Sequence, residues 1–396
     1  MSVIVSLFMG ITVSAEEIIR DRKILKRESF LNLSWVSYIN SKIFYLFILS
    51  AIQTLLFVIV GTTILEIKGM TLIFWIVLFT TSCFGNLIGL NISSGLNSVV
   101  TIYILIPLIL VPQMLLGGAM ISFDDLHKSI TNEKVTPVIG DIMTTRWAYE
   151  ALMVEQFKGN KFEKYFFDQE QINQTASYYT SFWLPNIVSR IDECLRIIEE
   201  DRENINLTGK LKIIKNELDK LPVNFHELPP FEHNDSIQMG KFTPELAEEI
   251  KHGYLYFTVR MHFIDLANQA VASKENKYQS LVDSLGKDAM LLLKQRYYNN
   301  QIADVVTNKN EIVKIIETGN ELVRKKDPVF MKPESNIGRA HFYAPVKIIN
   351  NQQVETIWFN IIFIWLTSTI LYFALLADVL RKLMNYFENI KLRRKK

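Results

Sequence analysis

The run IFYLFILSAIQTLLFVIVGTTIL, Ile43–Leu65, carries no charged residue over 23 positions. A bilayer core about 30 Å thick takes roughly that many helical residues. A helix buried in a water-soluble domain rarely stays apolar all round for so long. Thr71–Leu90, Val99–Ile121 and Ile357–Ala377 repeat the pattern, and Val3–Ala15 is a shorter run that reads as a partial span. Lys and Arg gather beside these runs in two places, Arg20 to Arg27 and Lys391 to Lys396. Basic residues next to span ends stay in the cytoplasm. Four runs separate the two basic segments, an even number, so both segments fit one orientation. In that orientation Val3–Ala15 enters from outside and the chain starts partway down a span, which reads as an incomplete polypeptide.

The fold class expected is all-α: a polytopic transmembrane helical domain with a large, mainly helical extracytoplasmic insertion. Residues 1–121 make the first part of the membrane domain, with spans at about 3–15, 43–65, 71–90 and 99–121 and a charged amphipathic helix at about 16–30 lying along the inner membrane surface. Glu66 to Gly69 and Asn91 to Ser98 read as the turns between the complete spans. Residues 122–354 form the insertion, 355–380 the last span and 381–396 a basic cytoplasmic tail. Within the insertion, Ile187, Val188, Ile191, Leu195 and Ile198 recur at helical spacing. Further helices are expected at about 244–273, 274–300 and 309–325, a Pro-rich linker at 221–233 and a short strand at 342–349. The two cysteines, Cys83 in a span and Cys194 in the insertion, fall in different compartments and cannot pair, and position 194 is expected to be open to labelling from outside.

A net charge of +2 gives no general affinity for nucleic acid. All six histidines lie in the insertion without the spacing of a metal site, so no metal ligands are assigned. Gly209-Lys210 lacks the leading glycine of a P-loop, and there is no GxSxG elbow. No catalytic residue is assigned and the chain is read as not itself an enzyme. Four polar or kinking residues stand out inside the spans: Asn86, Pro107, Pro112 and Gln113. A proline frees carbonyls that must find partners in protein or a water-lined cavity. These residues therefore line a path or a subunit interface, or else act as ordinary interhelical contacts.

Two charged patterns rise above the rest. Asp21-Arg22 and Arg27-Glu28 bracket four residues on the early helix. Arg146-Trp147-Ala148-Tyr149-Glu150-Ala151-Leu152, closing at Phe157, sets an Arg–Glu pair one helical turn apart beside aromatic rings. Together these resemble the membrane domain of ABC transporters of the G-subfamily type, including bacterial half-transporters with ABC-2-like permeases. That family carries an acidic-Arg pair, four residues and Arg-Glu after its second span; here Asp stands for the usual Glu. It also carries an Arg-aromatic-Ala-aromatic-Glu-x-Leu run after its fifth span. The resemblance covers about 3–157 and 353–396. The insertion between them is far longer than the family's outer loop, and the family's first span and nucleotide-binding domain have no counterpart here.

The resemblance implies a multi-pass permease subunit of an ATP-driven exporter in the plasma (inner) membrane. Asp21, Arg22, Arg27 and Glu28 would then couple to an ABC ATPase domain, while Arg146, Tyr149 and Glu150 form a structural segment on the outer side. ATP and Mg would be bound by that ATPase and not by this chain. Its other partners would be a second half-transporter, giving a homodimer, and the lipid bilayer. The alternative from another class is a non-transporting membrane protein that displays a helical sensing or binding domain outside the cell.

Overall fold

The computed structural model describes residues 1–28, 34–127, 131, 133–200 and 207–394. It is mainly α-helical, with two small β-hairpins. The chain divides into two compact units: residues 1–156, 333–342 and 346–396 in one, residues 157–332 and 343–345 in the other.

The first unit opens with α1 (Ser2–Ser14) and α2 (Glu17–Glu28). It continues with α3 (Trp35–Ile64), α4 (Thr71–Gly95) and α5 (Val99–Leu115). Two short helices follow, α6 (Val138–Ile142) and α7 (Thr144–Lys158, its last two residues in the other unit). Among the described residues, four helical stretches are long and apolar enough to cross a membrane: α1 continued through α2, α3, α4, and a helix near the end of the chain, Thr356–Leu376. The protein is thus a multi-pass membrane protein. Helix α5 is apolar but shorter.

Helix α4 is central. Nearly every residue from Val77 to Gly95 is buried. Its composition explains why: Thr80, Thr81, Ser82, Gly85, Asn86 and Gly89 are small or polar, and lipid-embedded bundles place such residues between helices, where backbones approach closely. Helices α1 and α4 meet almost backbone to backbone. A Cβ added at Gly10 would lie 2.2 Å from the Ser82 carbonyl oxygen, one at Gly85 2.7 Å from that of Leu7, and one at Gly89 2.7 Å from that of Ile11. Ser6 Oγ donates across the same seam to the Leu78 carbonyl at 2.5 Å.

The other unit has its own core. Helix α8 (Phe167–Tyr178) runs through a wide π-type turn into α9 (Leu184–Glu199), which precedes α10 (Leu207–Asn224). Helix α11 (Pro244–Glu248) passes through a longer π stretch into α12 (Met261–Leu285). Helices α13 (Lys287–Tyr297) and α14 (Asn300–Val306) lead to the antiparallel hairpin β1 (Ile315–Thr318) and β2 (Glu321–Arg324). Ile187, Ile191, Leu211, Ile214, Ile250, Leu255 and Phe263 are fully buried together, and Tyr179 stacks on Phe263 with ring centroids 4.4 Å apart. Back in the first unit, β3 (Val346–Ile349) and β4 (Gln352–Glu355) form a second hairpin, followed by α15 (Thr356–Leu376) and α16 (Val379–Arg394).

Several sequence expectations are corrected. The expected helix at 309–325 is the β1–β2 hairpin, because Gly319 and Asn320 both take positive φ, the two-residue turn that matches strand twist. Asn350 and Asn351 do the same between β3 and β4. The expected break near 273 falls at Gly286, whose φ is 88°. The expected linker at 221–233 begins later, since α10 continues through Pro222 to Asn224. Helix α4 runs through Asn91 to Gly95, where a turn was expected, because Asn91 donates to the Leu371 carbonyl at 3.1 Å and is held in the helix bundle. Helix α5 stops at Leu115 and not at Ile121, since Gly118 turns the chain at a φ of 73°. Cys194 is fully buried in the core of its unit, so it is not open to labelling; both cysteines are free and buried.

The α1–α4 seam generates a test with an internal control. Gly85→Ala forces the two backbones apart and should cost about 1–3 kcal/mol, as overpacking does. Gly61→Ala on α3, where an added Cβ meets nothing within 4 Å, should leave stability unchanged or slightly raised. Thermal unfolding of the purified protein distinguishes the two.

Candidate functional site

Helix α2 is fastened to the ends of two spans by reciprocal capping. The first amides of a helix lack intrahelical partners, as do its last carbonyls. Ser93 Oγ, near the end of α4, accepts hydrogen bonds from the Ile18 and Ile19 amides, both at 3.0 Å, at the start of α2. In return the Arg22 guanidinium donates to the Ser94 and Leu96 carbonyls at 3.0 and 2.9 Å, at the end of α4, and to Asn97 Oδ1. A cation there also opposes the negative end of the helix dipole.

Helix α3 supplies the second fastening. Lys42 Nζ lies 2.6 Å from Glu17 and 2.7 Å from Asp21, two carboxylates one turn apart on α2. Tyr38 donates its hydroxyl to Asp21 at 3.1 Å. Below these polar contacts Ile18 packs with Ile39, Leu46, Leu90 and Leu375, with Leu25 beside them. The apolar side of α2 thus covers the ends of α3, α4 and α15, while Ile24 is exposed.

The expected coupling residues therefore divide. Asp21 and Arg22 face the spans, and Arg27 is exposed at the far end of the helix. The Glu28 side chain lies outside the described residues. Sequence reasoning missed Glu17, Tyr38, Lys42 and Ser93. A lone Lys at the start of an apolar helix was the available signal for Lys42.

A second polar cluster lies at the opposite end of α15. Arg146 is 1% exposed and reaches Glu150 at 2.9 Å and Asp141 at 2.7 Å. Glu150, with no exposed surface, also accepts from Lys347 Nζ at 2.7 Å and Asn360 Nδ2 at 3.0 Å. Arg339 donates to Asp141 from the partly exposed rim at 3.0 Å. Trp147 bonds the Asp141 carbonyl through its indole N–H and stacks on Phe363 at 4.1 Å. Tyr149 lies beside this group, its ring 6.2 Å from that of Phe342. Burial raises the Glu150 pKa, but Lys347 and then Arg146 outweigh it and hold the carboxyl below its ordinary value. Burial, helped by Arg146, lowers Lys347 against the pull of Glu150.

The polar residues of the spans serve as interhelical contacts within this unit. Asn86 Nδ2 donates to Ser50 Oγ at 2.7 Å, joining α4 to α3. Gln113 Oε1 accepts from the Thr145 amide at 3.2 Å and its hydroxyl at 3.1 Å, joining α5 to α7. Pro107 sits on the exposed face of α5 and Pro112 is half-buried. Among the described residues no three or more His, Cys, Asp or Glu side chains are grouped to hold a metal ion.

One titrating carboxyl stands out in the other unit. Glu163 is 1% exposed. Burial, reinforced by Glu170, pushes its pKa up to about 9 despite Lys274 and Lys294 nearby, so it holds its proton at neutral pH. Glu170 itself is paired with Lys274 at 2.5 Å.

Removing Glu150 alone strands the buried Lys347 and should cost about 3–5 kcal/mol, whereas removing Lys347 leaves Glu150 paired with Arg146 and should cost less. The double variant Glu150→Leu with Lys347→Met should cost less than the two singles together, which a double-mutant cycle on thermal unfolding reads directly. The Glu150 pKa falls below 4.5 on folding, so its stabilisation is present above pH 4.5 and is lost as the pH drops through the folded value. Glu163 has the opposite sign. Its folded pKa is raised, so its contribution is fully present below pH 4.5 and is lost as the pH rises through about 9. Glu163→Gln should flatten the fall in stability across that window.

No curated protein and no solved structure matches the chain. Residues 1–157, a stretch that carries α1 to α5 and the Arg146–Glu150 pair, match the family model described as ABC-2 type transporter.

Proposed function

We propose that this chain is the permease subunit of an ATP-driven exporter, and that α2 is the element through which an ABC ATPase domain moves the spans. The observation that carries this reading is the double fastening of α2. Ser93 and Arg22 lock it to α4, and Lys42 locks it to α3, while Arg27 remains exposed. A short helix held rigidly to two spans transmits a push on its free surface as a tilt of both. The match of residues 1–157 to the ABC-2 type transporter model supports the same reading.

ATP and Mg belong to the ATPase partner in this proposal. A second copy of the chain completes the pathway. The exposed apolar face of α5, with Val100, Tyr103, Ile104, Leu108 and Val111, is available to that copy or to lipid. The orientation follows from the basic residues. Helix α2 packs at the end of α4 and α15 marked by Gly95 and Leu375, whereas α7 packs at the other end of α15 through Asn360 and the Trp147 carbonyl. With α2 facing the cytoplasm of the plasma (inner) membrane, the chain enters and leaves residues 157–332 on the extracytoplasmic side. That unit has a core of its own, which a non-transporting display protein would also have.

Reconstitution with the ATPase partner separates these readings. Arg27→Ala should lower transport per ATP hydrolysed while thermal stability stays unchanged. Arg22→Ala should lower the same ratio and also weaken the fold, because it exposes the α4 carbonyls. Unaltered coupling in both variants, or purification of the native protein without any ATPase, overturns the exporter reading and favours the display protein.

A further inference from the structure

We infer that α16 is a membrane-surface helix that sets one apolar edge into the boundary of the bilayer and gathers anionic lipid headgroups with its basic residues. This inference does not depend on the exporter reading.

Its position leaves α16 little choice. Helix α15 ends at Leu376, only Ala377 and Asp378 intervene, and Asp378 turns the chain at a φ of 51°. Helix α16 begins at Val379, so its first turn lies where the span meets the headgroups. Leu380 holds it there: a Cβ added at Gly95 would come within 2.7 Å of Leu380 Cγ, so the helix crosses the end of α4 in close contact.

The neighbouring edge is apolar and exposed. Val379, Leu383 and Tyr386 follow at helical spacing with exposures of 40%, 47% and 62%. Arg381 lies on the opposite side and Lys382 flanks the edge next to Tyr386, and both are exposed. The spacing continues in the sequence with Phe387 and Ile390.

Two observations identify the occupant as lipid. First, the exposed stripe of α15, formed by Trp358, Ile362, Leu366, Ile370 and Phe373, leads to the turn from which Val379 and Leu383 continue. Val379 follows Phe373, the last residue of that stripe, by six positions, so α16 starts close to the surface that faces acyl chains. Second, residues 379–396 hold seven Lys and Arg against one Glu. An apolar edge beside a basic face is the composition of helices that lie in the interface and bind anionic bilayers.

The test uses the full-length chain, in which Cys83 and Cys194 are buried and do not compete for label. Single variants Leu383→Cys and Asn385→Cys, the latter on the side away from the edge and exposed, are spin-labelled in phosphatidylcholine bilayers with and without phosphatidylglycerol. Collision with oxygen reports the acyl region and collision with a water-soluble nickel chelate reports solvent. Position 383 should favour oxygen several-fold over position 385. The preference should grow with phosphatidylglycerol and shrink when Arg393, Arg394, Lys395 and Lys396 are changed to Gln. Chelate access at 383 equal to that at 385 in both bilayers overturns the proposal. So does shelter of 383 from both reagents, which would mean that a protein covers the edge, or indifference to lipid charge.

Discussion

The membrane unit depends on how two helix ends satisfy their backbone groups at the edge of the hydrocarbon. The start of α2 and the end of α4 each present polar groups that a helix cannot pair internally. Near lipid such groups are costly when unpaired. Here each end supplies the other's partner, through Ser93 in one direction and Arg22 in the other. The arrangement satisfies amides and carbonyls together and sets the position of α2 along α4. It also explains why α4 continues through Asn91 and Ser94, since a turn at Asn91 would leave Arg22 without its carbonyls.

The opposite end of the unit solves a different problem by a related means. Arg146, Glu150 and Lys347 are almost completely buried, and charges removed from water are tolerable only when paired and hydrogen-bonded. Two cations share one carboxylate, and Asp141 balances the excess from the rim. The group joins α7 to β3 and α15, elements far from it in the chain. Its geometry therefore fixes β3 against α7 and α15.

The membrane character of the protein was legible in the sequence because it needs only local composition: a run such as Ile43–Leu65 declares itself. The Arg146–Glu150 pair was legible for a similar reason, as its members lie one turn apart. Lys347 was not, because nothing local marks one lysine in a β-hairpin as the partner of a carboxylate 197 residues earlier. On α2 the charged pattern was visible but its sidedness was not. Asp21 and Arg22 looked like surface charges, and only the position of Lys42 and of the last turn of α4 shows that they face inward. The β1–β2 hairpin was missed although Gly319-Asn320 is a recognisable turn signal, because its strands are four residues each and too short to display a period. Cys194 was misplaced for want of the opposite view: its helix was recognised, but which face met α10 and α12 depends on packing.

The glycine seam between α1 and α4 has a mechanical corollary. Two helices in backbone contact have no side-chain layer in which to slide or roll, and Gly10, Gly85 and Gly89 leave no slack between them. Helices α1 and α4 therefore behave as one beam. With α2 clamped to its end, that beam has a handle as well. Any change of shape in the membrane unit must be accommodated by the looser joints around it, where bulky side chains on α3, α5 and α15 can exchange one rotamer for another.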